Sequence, residues 1–173
     1  MENETTVKIK ASAARLVGRL LEKNKKISTA ESCTGGLISY AITSVPGASG
    51  VFETGICAYS NRIKETVLGV KNQTLENFGA VSGETAIEMA EGVKLLAGAD
   101  YAVAVSGIAG PGGGSEEKPV GTVWLAFAYP GGAFSKLCRF EGNRDEIRLS
   151  SALCALEILN RITDFDGEFY EKT

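Results

Sequence analysis

Histidine is missing altogether from the 173 residues of the chain. Its absence excludes the Ser-His-Asp and Cys-His arrangements of many hydrolases, the His-Glu-x-x-His metal motif and most zinc sites. The four cysteines, at positions 33, 57, 138 and 154, show no C-x-x-C spacing. The sequence therefore predicts no metal and no other cofactor, and any hydrolytic reaction here needs a base other than histidine.

Signals for membranes, secretion and nucleic acids are also missing. No stretch approaches the roughly 20 apolar residues of a membrane helix. The first four residues, Met1-Glu2-Asn3-Glu4, are acidic where a signal peptide is basic and then apolar. A net charge of -3 gives no general attraction to nucleic acid. We therefore expect a cytoplasmic protein that binds neither a membrane nor a nucleic acid.

What the chain does have is an ordinary globular composition, with 44% hydrophobic and 23% charged residues. This length and composition predict one domain over residues 1–173, with its core at about 7–162 and an acidic tail from Asp164 to Thr173. The apolar patterns predict helices at 5–24, 37–42, 62–68, 72–78, 83–97 and 144–162, and strands at 27–30, 51–59, 101–105, 122–129 and 134–140. Early alternation of strand and helix followed by a hairpin predicts a three-layer α/β/α fold with a mixed, mostly parallel sheet.

Helix ends and helix faces carry further expectations. Asn61 is the predicted N-cap of the third helix, and Asn143 with Glu146 has the form of a capping box. The predicted buried stripe of the first helix is Val7, Ala14, Val17 and Leu21, widened by Leu16 and Leu20. The apolar face of the last helix, which is broader than one sheet contact needs, consists of Leu149, Ala152, Leu153, Leu156 and Leu159. Such a wide face predicts a homo-oligomer.

A glycine-rich loop, residues 106–118, follows the third strand. Glycines without a Cβ leave amide N–H groups open to an anion, and the candidate binding residues of the loop are Ser106, Gly107, Gly110, Gly112 and Gly113. The loop is neither a dinucleotide fingerprint nor a Walker loop, because Ser115 and Glu117 stand where those motifs need glycine. The alternative is a long flexible connection between two strands.

Ser32 lies on a predicted strand-to-helix turn, at the sheet edge where α/β proteins form their sites. Gly35 and Gly36 follow it, so the turn exposes a hydroxyl beside amides suited to an oxyanion hole. The alternative is that Ser32 or Thr34 simply caps the helix. Cys33 is a competing nucleophile that ranks lower, because no histidine can form a thiolate pair with it.

Lys64 is the candidate base. It stands near the start of a helix, where the macrodipole disfavours a cation, and partial burial would also lower its pKa towards the roughly 7–8 that a general base needs. Tyr59, five residues earlier, could relay the proton or hold the lysine. The alternative is a solvated surface lysine. Ser–Lys pairs are a known solution where histidine is lacking.

Arg144 and Arg148 lie four residues apart on one face at the start of the last helix. Two guanidinium groups beside a glycine loop suit a phosphate or a carboxylate. The alternative is that Asp145 and Glu146 merely balance their charges.

Four ordered blocks, at residues 29–36, 59–70, 106–123 and 142–148, resemble the CinA C-terminal domain family, and the likeness runs from about Val7 to Ile162. The characterised enzymes of that family are nicotinamide-nucleotide amidohydrolases, so the resemblance implies hydrolysis of nicotinamide mononucleotide to nicotinate mononucleotide and ammonia, without a metal. It places the family's serine, tyrosine and lysine on Ser32, Tyr59 and Lys64, and its arginine on Arg144 or Arg148.

The substrate would also contact the Ser32 turn, at Thr34, Gly35 and Gly36, with the amides near Gly35 and Gly36 holding the oxyanion. Larger members carry an additional nucleotide-pyrophosphatase-like domain, and we expect no such activity from this sequence. The rival hypothesis is a non-catalytic nucleotide-binding or protein-interaction module that uses the same loop and the same arginines.

Overall fold

The computed structural model describes residues 3–165, and within that range five strands and six α-helices are present. The strands are β1 (Ile27–Glu31), β2 (Phe52–Cys57), β3 (Tyr101–Gly107), β4 (Thr122–Tyr129) and β5 (Gly132–Arg139). The helices are α1 (Glu4–Lys23), α2 (Leu37–Thr43), α3 (Asn61–Leu68), α4 (Asn72–Phe78), α5 (Gly83–Ala97) and α6 (Arg144–Asp164). All the predicted elements are confirmed, and a short 3₁₀ turn at Ala48–Gly50 is additional.

The strands form a mixed sheet in the order β2-β1-β3-β4-β5. The strands β2, β1 and β3 are parallel, whereas β4 and β5 are each antiparallel to their neighbour. Thr122 at the start of β4 pairs with Arg139 at the end of β5. The ends of β1, β2, β3 and β5 therefore lie along one edge of the sheet, which we call the site edge.

Helices cover both faces of the sheet, as the predicted three-layer architecture requires. On β3, Tyr101, Val103 and Val105 face the core with α1, α2 and α6, while Ala102 and Ala104 face the core with α5. The second core is lined by alanines on both the sheet and α5, so that helix lies close to the strands. This close packing determines how far the layer of α3, α4 and α5 lies from the sheet. Lys64 lies on α3.

The stripe predicted for α1 is wrong in part. Val7 and Leu21 are about half exposed, and Ala14 is also exposed. The side chains that α1 buries against α6 and α2 are Ile9, Ala13, Leu16, Val17 and Leu20. Apolar residues surround much of this helix, so spacing alone could not show which of two overlapping stripes faces the neighbouring helices.

The wide face of α6 is used inside the molecule. Ala152, Leu156 and Leu159 are buried in the first core, and Leu149 and Leu153 pack against it. The argument for an oligomer from this face is therefore wrong, because α1 and the sheet already cover it. Homo-oligomerisation itself stays a prediction.

Two predicted helix ends need correction and one is confirmed. Ser60, whose hydroxyl accepts from the Ile63 N–H, is the N-cap of α3, so Asn61 is the first helical residue instead. The capping box of Asn143 and Glu146 is present. Asp164, predicted to begin a loose tail, ends α6 and pairs with arginines of α1; the tail beyond Phe165 lies outside the described residues. Within residues 3–165, no helix is both long and apolar enough to cross a bilayer.

The contact between α3 and α5 depends on Gly92. A Cβ at this position would collide with the carbonyl oxygen of Leu68, whose backbone cannot move without shifting α3. We expect Gly92→Ala to reduce the free energy of unfolding by about 1–3 kcal/mol, as overpacking does. Gly18→Ala in α1 is the matched control, because nothing lies within 4 Å of the added methyl group. It should stabilise the protein by roughly 0.5–1 kcal/mol through helix propensity. The urea midpoints of the two variants measure these changes in stability. Equal shifts of the two midpoints would contradict the proposed close contact at Gly92.

Candidate active site

The site edge brings together the segments that the sequence singled out. The Ser32 turn, residues 32–36, follows β1; Tyr59 and α3 follow β2; the glycine loop follows β3; and α6 begins after β5. This convergence follows from three parallel strands ending together and from the direction of β5.

Ser32 and Lys64 meet at the centre of this edge. The Lys64 Nζ lies 3.3 Å from the Ser32 Oγ and donates a 2.8 Å hydrogen bond to the Ala58 carbonyl oxygen. The lysine is 1% exposed, which rules out a solvated surface residue. Burial lowers the pKa of Lys64 because it disfavours the charged amine. A weakly basic amine thus contacts a partly exposed hydroxyl.

The backbone fixes the Ser32 turn from both sides. The Ser32 N–H donates to the Val105 carbonyl oxygen of β3, and the Gly35 N–H donates back to the Ser32 carbonyl oxygen. Gly35 and Gly36 have φ angles of +62° and +94°, a left-handed conformation that favours glycine. The two glycines therefore turn the chain from β1 into α2.

Glu31, the last residue of β1, caps α2 from before the turn. Its buried carboxylate accepts from the amides of Gly36, Ile38 and Ser39 at 3.1, 3.1 and 2.8 Å, and from the Ser39 hydroxyl at 2.6 Å. No side-chain cap comes from Gly36, the N-cap residue itself. The expectation that Ser32 or Thr34 caps the helix is therefore wrong.

The predicted oxyanion hole also needs correction. The Gly36 N–H is bound to Glu31 and the Gly35 N–H to Ser32, so neither amide is open to a substrate. Within residues 3–165, the amides of Cys33 and Thr34 donate to no oxygen; their acceptor is the Cys33 sulfur, which is a weak one that a substrate oxygen can replace. These two amides, one and two residues after Ser32, are the donors that the turn leaves available.

Cys33 itself is poorly suited to attack a substrate. Its side chain is buried, and burial raises the pKa of the thiol to about 11. A thiolate is the reactive form, so the buried thiol is inert near neutral pH. The ranking of Ser32 above Cys33 agrees with this environment.

Tyr59 does not hold the lysine as expected. Its side chain is 63% exposed, and its hydroxyl accepts a 3.1 Å hydrogen bond from the Arg144 Nη2. The carbonyl of the preceding residue, Ala58, takes the role foreseen for the tyrosine. Tyr59 therefore lies at the mouth of the site, beside α6.

The two arginines bind different segments. The Arg144 Nη1 donates to the Gly110 carbonyl oxygen of the glycine loop at 2.7 Å, whereas the Arg148 Nη2 donates to the Thr34 carbonyl oxygen of the Ser32 turn at 2.9 Å. Asp145 lies 3.4 Å from Arg148 and is mostly exposed, so this pair contributes little. Charge balance is thus not the main role of either arginine.

Ser106 and Gly107 have structural partners of their own at the end of β3. The Ser106 hydroxyl is buried and donates to the Ala80 carbonyl oxygen at 2.6 Å. A Cβ on Gly107 would lie 2.7 Å from a Val123 methyl group, so this glycine is needed for packing against β4. Both help to fix the end of β3, and their predicted contact with a substrate stays a prediction.

The outer part of the glycine loop is open to a ligand. Gly112 has nothing within 4 Å of its Cβ position, and Gly113, at φ +85°, meets only a methyl group of Ile108 at 3.8 Å. Lys118 holds the far end of the loop through bonds to the carbonyl oxygens of Phe78 and Val81. The loop is therefore anchored at both ends, which argues against a loose connection.

Sequence reasoning missed Glu31, the Ala58 carbonyl and Lys118. Glu31 lies five residues before Gly36, the N-cap of α2, so a rule that searches for the cap at the helix start does not find it. For the contacts of the Ala58 carbonyl and of Lys118, the neighbouring sequence gives no indication of the partner. Within the described part of the chain, no group of three or more metal-binding side chains occurs.

Comparison with known proteins gives one family. The CinA C-terminal domain family matches residues 9–163. A putative competence-damage inducible protein of Caldanaerobacter subterraneus subsp. tengcongensis is 53% identical over 147 residues, covering 84% of this chain and 36% of that protein. A CinA-like protein of Fervidobacterium nodosum is 51% identical over 142 residues, covering 82% and 35%. The chain thus spans about a third of the length of these curated relatives.

Solved structures show the same fold. The competence/damage inducible protein CihA from Agrobacterium tumefaciens superposes with a TM-score of 0.88 at 45% identity, covering 90% of this chain and 95% of that one. A CinA superfamily protein from Klebsiella pneumoniae 700603 gives 0.87 at 33% identity, covering 91% and 98%. These matches confirm the predicted α/β architecture, and the names of these relatives specify no reaction.

The buried amine of Lys64 predicts a pH-dependent stability. Its folded-state pKa lies below the ordinary lysine value, so the unfolded chain binds the proton more tightly between those two pKa values. Wild-type protein should therefore gain stability relative to Lys64→Met as pH rises from 7 to 10. Urea unfolding at a series of pH values, with the partly exposed Lys94→Met as control, measures this gain. A difference between wild type and Lys64→Met that stays constant with pH would contradict a lowered pKa.

Proposed function

The chain belongs to the CinA C-terminal domain family, and we propose that it is an amidohydrolase that converts nicotinamide mononucleotide to nicotinate mononucleotide and ammonia. The observation that carries the proposal is the 3.3 Å contact between the Ser32 hydroxyl and the buried Lys64 amine, in a protein without histidine. This pair supports amide hydrolysis through a serine nucleophile. The identity of the nucleotide rests on the family resemblance.

In the first step, Lys64 acts as a general base. Burial favours the neutral amine, and the Ala58 carbonyl accepts one of its N–H groups. The nitrogen lone pair can then accept the Ser32 proton while the hydroxyl oxygen attacks the carboxamide carbon.

The negative charge that develops on the carboxamide oxygen needs hydrogen-bond donors that are already in place. The amides of Cys33 and Thr34 are the available donors of the Ser32 turn. The protonated Lys64 then gives its proton to the leaving nitrogen, the C–N bond breaks and ammonia departs. Water, activated by the neutral lysine, hydrolyses the ester on Ser32 and restores the hydroxyl.

The substrate phosphate is assigned to Arg144 and the open glycines of the loop. Arg144 is exposed at the mouth of the site and lies between Tyr59 and Gly110, the loop residue that precedes Gly112 and Gly113 by two and three positions. Arg148 faces the Ser32 turn instead, so we assign it to holding that turn. A cytoplasmic location and a homo-oligomeric assembly remain predictions of this account.

Replacing the nucleophile separates an enzyme from a binding module. Ser32→Ala should reduce ammonia release from nicotinamide mononucleotide by at least about 1000-fold, since it removes the attacking oxygen. Binding of the nucleotide, measured by calorimetry, should persist. Cys33→Ala, next to it, should keep most of the activity. Wild-type protein that binds the nucleotide but releases no ammonia would instead support the non-catalytic module.

The arginines predict a test with two substrates. Arg144→Gln should lower kcat/KM for nicotinamide mononucleotide by roughly 30- to 1000-fold, the equivalent of about 2–4 kcal/mol for one or two charge-assisted hydrogen bonds. Nicotinamide riboside, which lacks the phosphate, should be affected far less. Arg148→Gln is the matched control and should impair both substrates equally. Equal losses from Arg144→Gln on both substrates would place the phosphate elsewhere.

A further inference from the structure

We infer that Glu31 is a positioning residue, whose carboxylate holds the Ser32 turn in the conformation that presents the hydroxyl to Lys64. This inference rests on the proposed function. Glu31 is fully buried at the end of β1, directly before Ser32, and it accepts the four hydrogen bonds described above. It touches neither Ser32 nor Lys64 through these bonds, so it acts through the backbone.

A buried carboxylate is costly unless its oxygens are satisfied. Within residues 3–165, no ion pair of 4 Å or less involves Glu31. The amides at the start of α2 and the Ser39 hydroxyl take the place of a cation, because they point their hydrogens at the two oxygens. These four hydrogen bonds offset the cost of burying the charge, and they also tie the carboxylate to one conformation of the turn.

The position of the bonds shows what is held. The bond from the Gly36 N–H to the Glu31 Oε2 joins the two ends of the turn, with Ser32 between them. Gly35 and Gly36 have little conformational preference of their own, so without this bond the turn could adopt other conformations. The Glu31 carboxylate therefore restricts the backbone conformational freedom that the two glycines introduce next to Ser32.

The Glu31 carboxylate is itself held in place by a second set of contacts. The Ser39 hydroxyl donates to the Glu31 Oε1 and also contacts the Thr29 hydroxyl at 2.7 Å. A Cβ at Gly55 on β2 would overlap the Ser39 Oγ, so glycine leaves room for this contact. A partly buried chain of polar groups, Thr29, Ser39 and Glu31, thus joins β1 to α2, and Gly55 of β2 leaves the space for it.

Glu31→Gln tests the inference with little change in volume. All four partners donate to the carboxylate, two to each oxygen. In glutamine an NH₂ group replaces one of these oxygens, and in either position it would face N–H donors. Glu88→Gln is the matched control, because Glu88 accepts from the Lys71 N–H and the Thr74 hydroxyl at the start of α4, on the other face of the sheet. Both variants replace a carboxylate that accepts hydrogen bonds at the start of a helix, although Glu88 also pairs with the Lys71 Nζ at 3.5 Å.

Two readouts distinguish positioning from stability. Below the unfolding transition of each variant, Glu31→Gln should lower kcat by about 100-fold, as a misplaced reacting group does, with KM changed less than about threefold. Glu88→Gln should keep the wild-type kcat, although its urea midpoint falls. A Glu31→Gln protein that loses only stability and keeps kcat would overturn the inference.

A second measurement does not depend on the substrate. A fluorophosphonate probe bonds its phosphorus to the Ser32 oxygen and releases fluoride, and the Ser32 proton passes to Lys64. Glu31→Gln should slow this labelling and Glu88→Gln should not. If the wild-type protein is labelled but releases no ammonia, the proposed function is contradicted. The labelling rates of the two variants still test the role of Glu31 in that case. If Ser32 is neither labelled nor active, both proposals are wrong.

Ser39→Ala covers the case in which Glu31→Gln fails to fold. It removes one donor and leaves the carboxylate with its three amide bonds. We expect a folded protein whose labelling rate and kcat fall several-fold, in the same direction as for Glu31→Gln. Wild-type values for both in Ser39→Ala, with Glu31→Gln unfolded, would overturn the inference.

Discussion

The structure depends on one buried contact, in which the Lys64 amine lies between the Ala58 carbonyl and the Ser32 hydroxyl. Burying an amine is unfavourable unless its pKa falls or its hydrogens find partners. Here both occur, because burial lowers the pKa and Ala58 accepts a hydrogen bond. The parallel pairing of β1 and β2 makes the contact possible, since it brings Ser32 and Ala58 to the same edge of the sheet. The close packing of α5 then holds α3 against the strands.

The charged groups at the site edge have two different tasks. Glu31 and Arg148 act on the Ser32 turn through its backbone, one at Gly36 and the other at the Thr34 carbonyl. Arg144, by contrast, lies at the surface beside the glycine loop. A charge that holds a turn is buried or half-buried, whereas a charge that meets a substrate phosphate needs access to solvent. This difference in exposure is why we assign the two arginines to separate tasks.

Much of this arrangement could be predicted from the sequence, because its signals are local. Apolar periodicity located the helices and strands, and the rule for strand ends placed Ser32, Lys64, the glycine loop and Arg144 at one edge. The errors at the site share a cause: they concern partners that are distant along the chain, or that lie on the unexpected side of a turn. The amides of Gly35 and Gly36 looked open because their acceptors, the Glu31 side chain and the Ser32 carbonyl, precede them. Ser106 looked accessible because its partner, Ala80, lies 26 residues earlier, in the connection between α4 and α5.

The central claim is that a neutral Lys64 activates Ser32. Its most direct test is the pH dependence of kcat/KM for nicotinamide mononucleotide above pH 7, where the substrate phosphate is already a dianion. The account predicts that kcat/KM rises with pH and levels off well below the ~10.4 of a free lysine, and that Lys64→Arg, whose guanidinium keeps its proton, is inactive throughout. A rate independent of pH from 7 to 10, or an active Lys64→Arg enzyme, would contradict it.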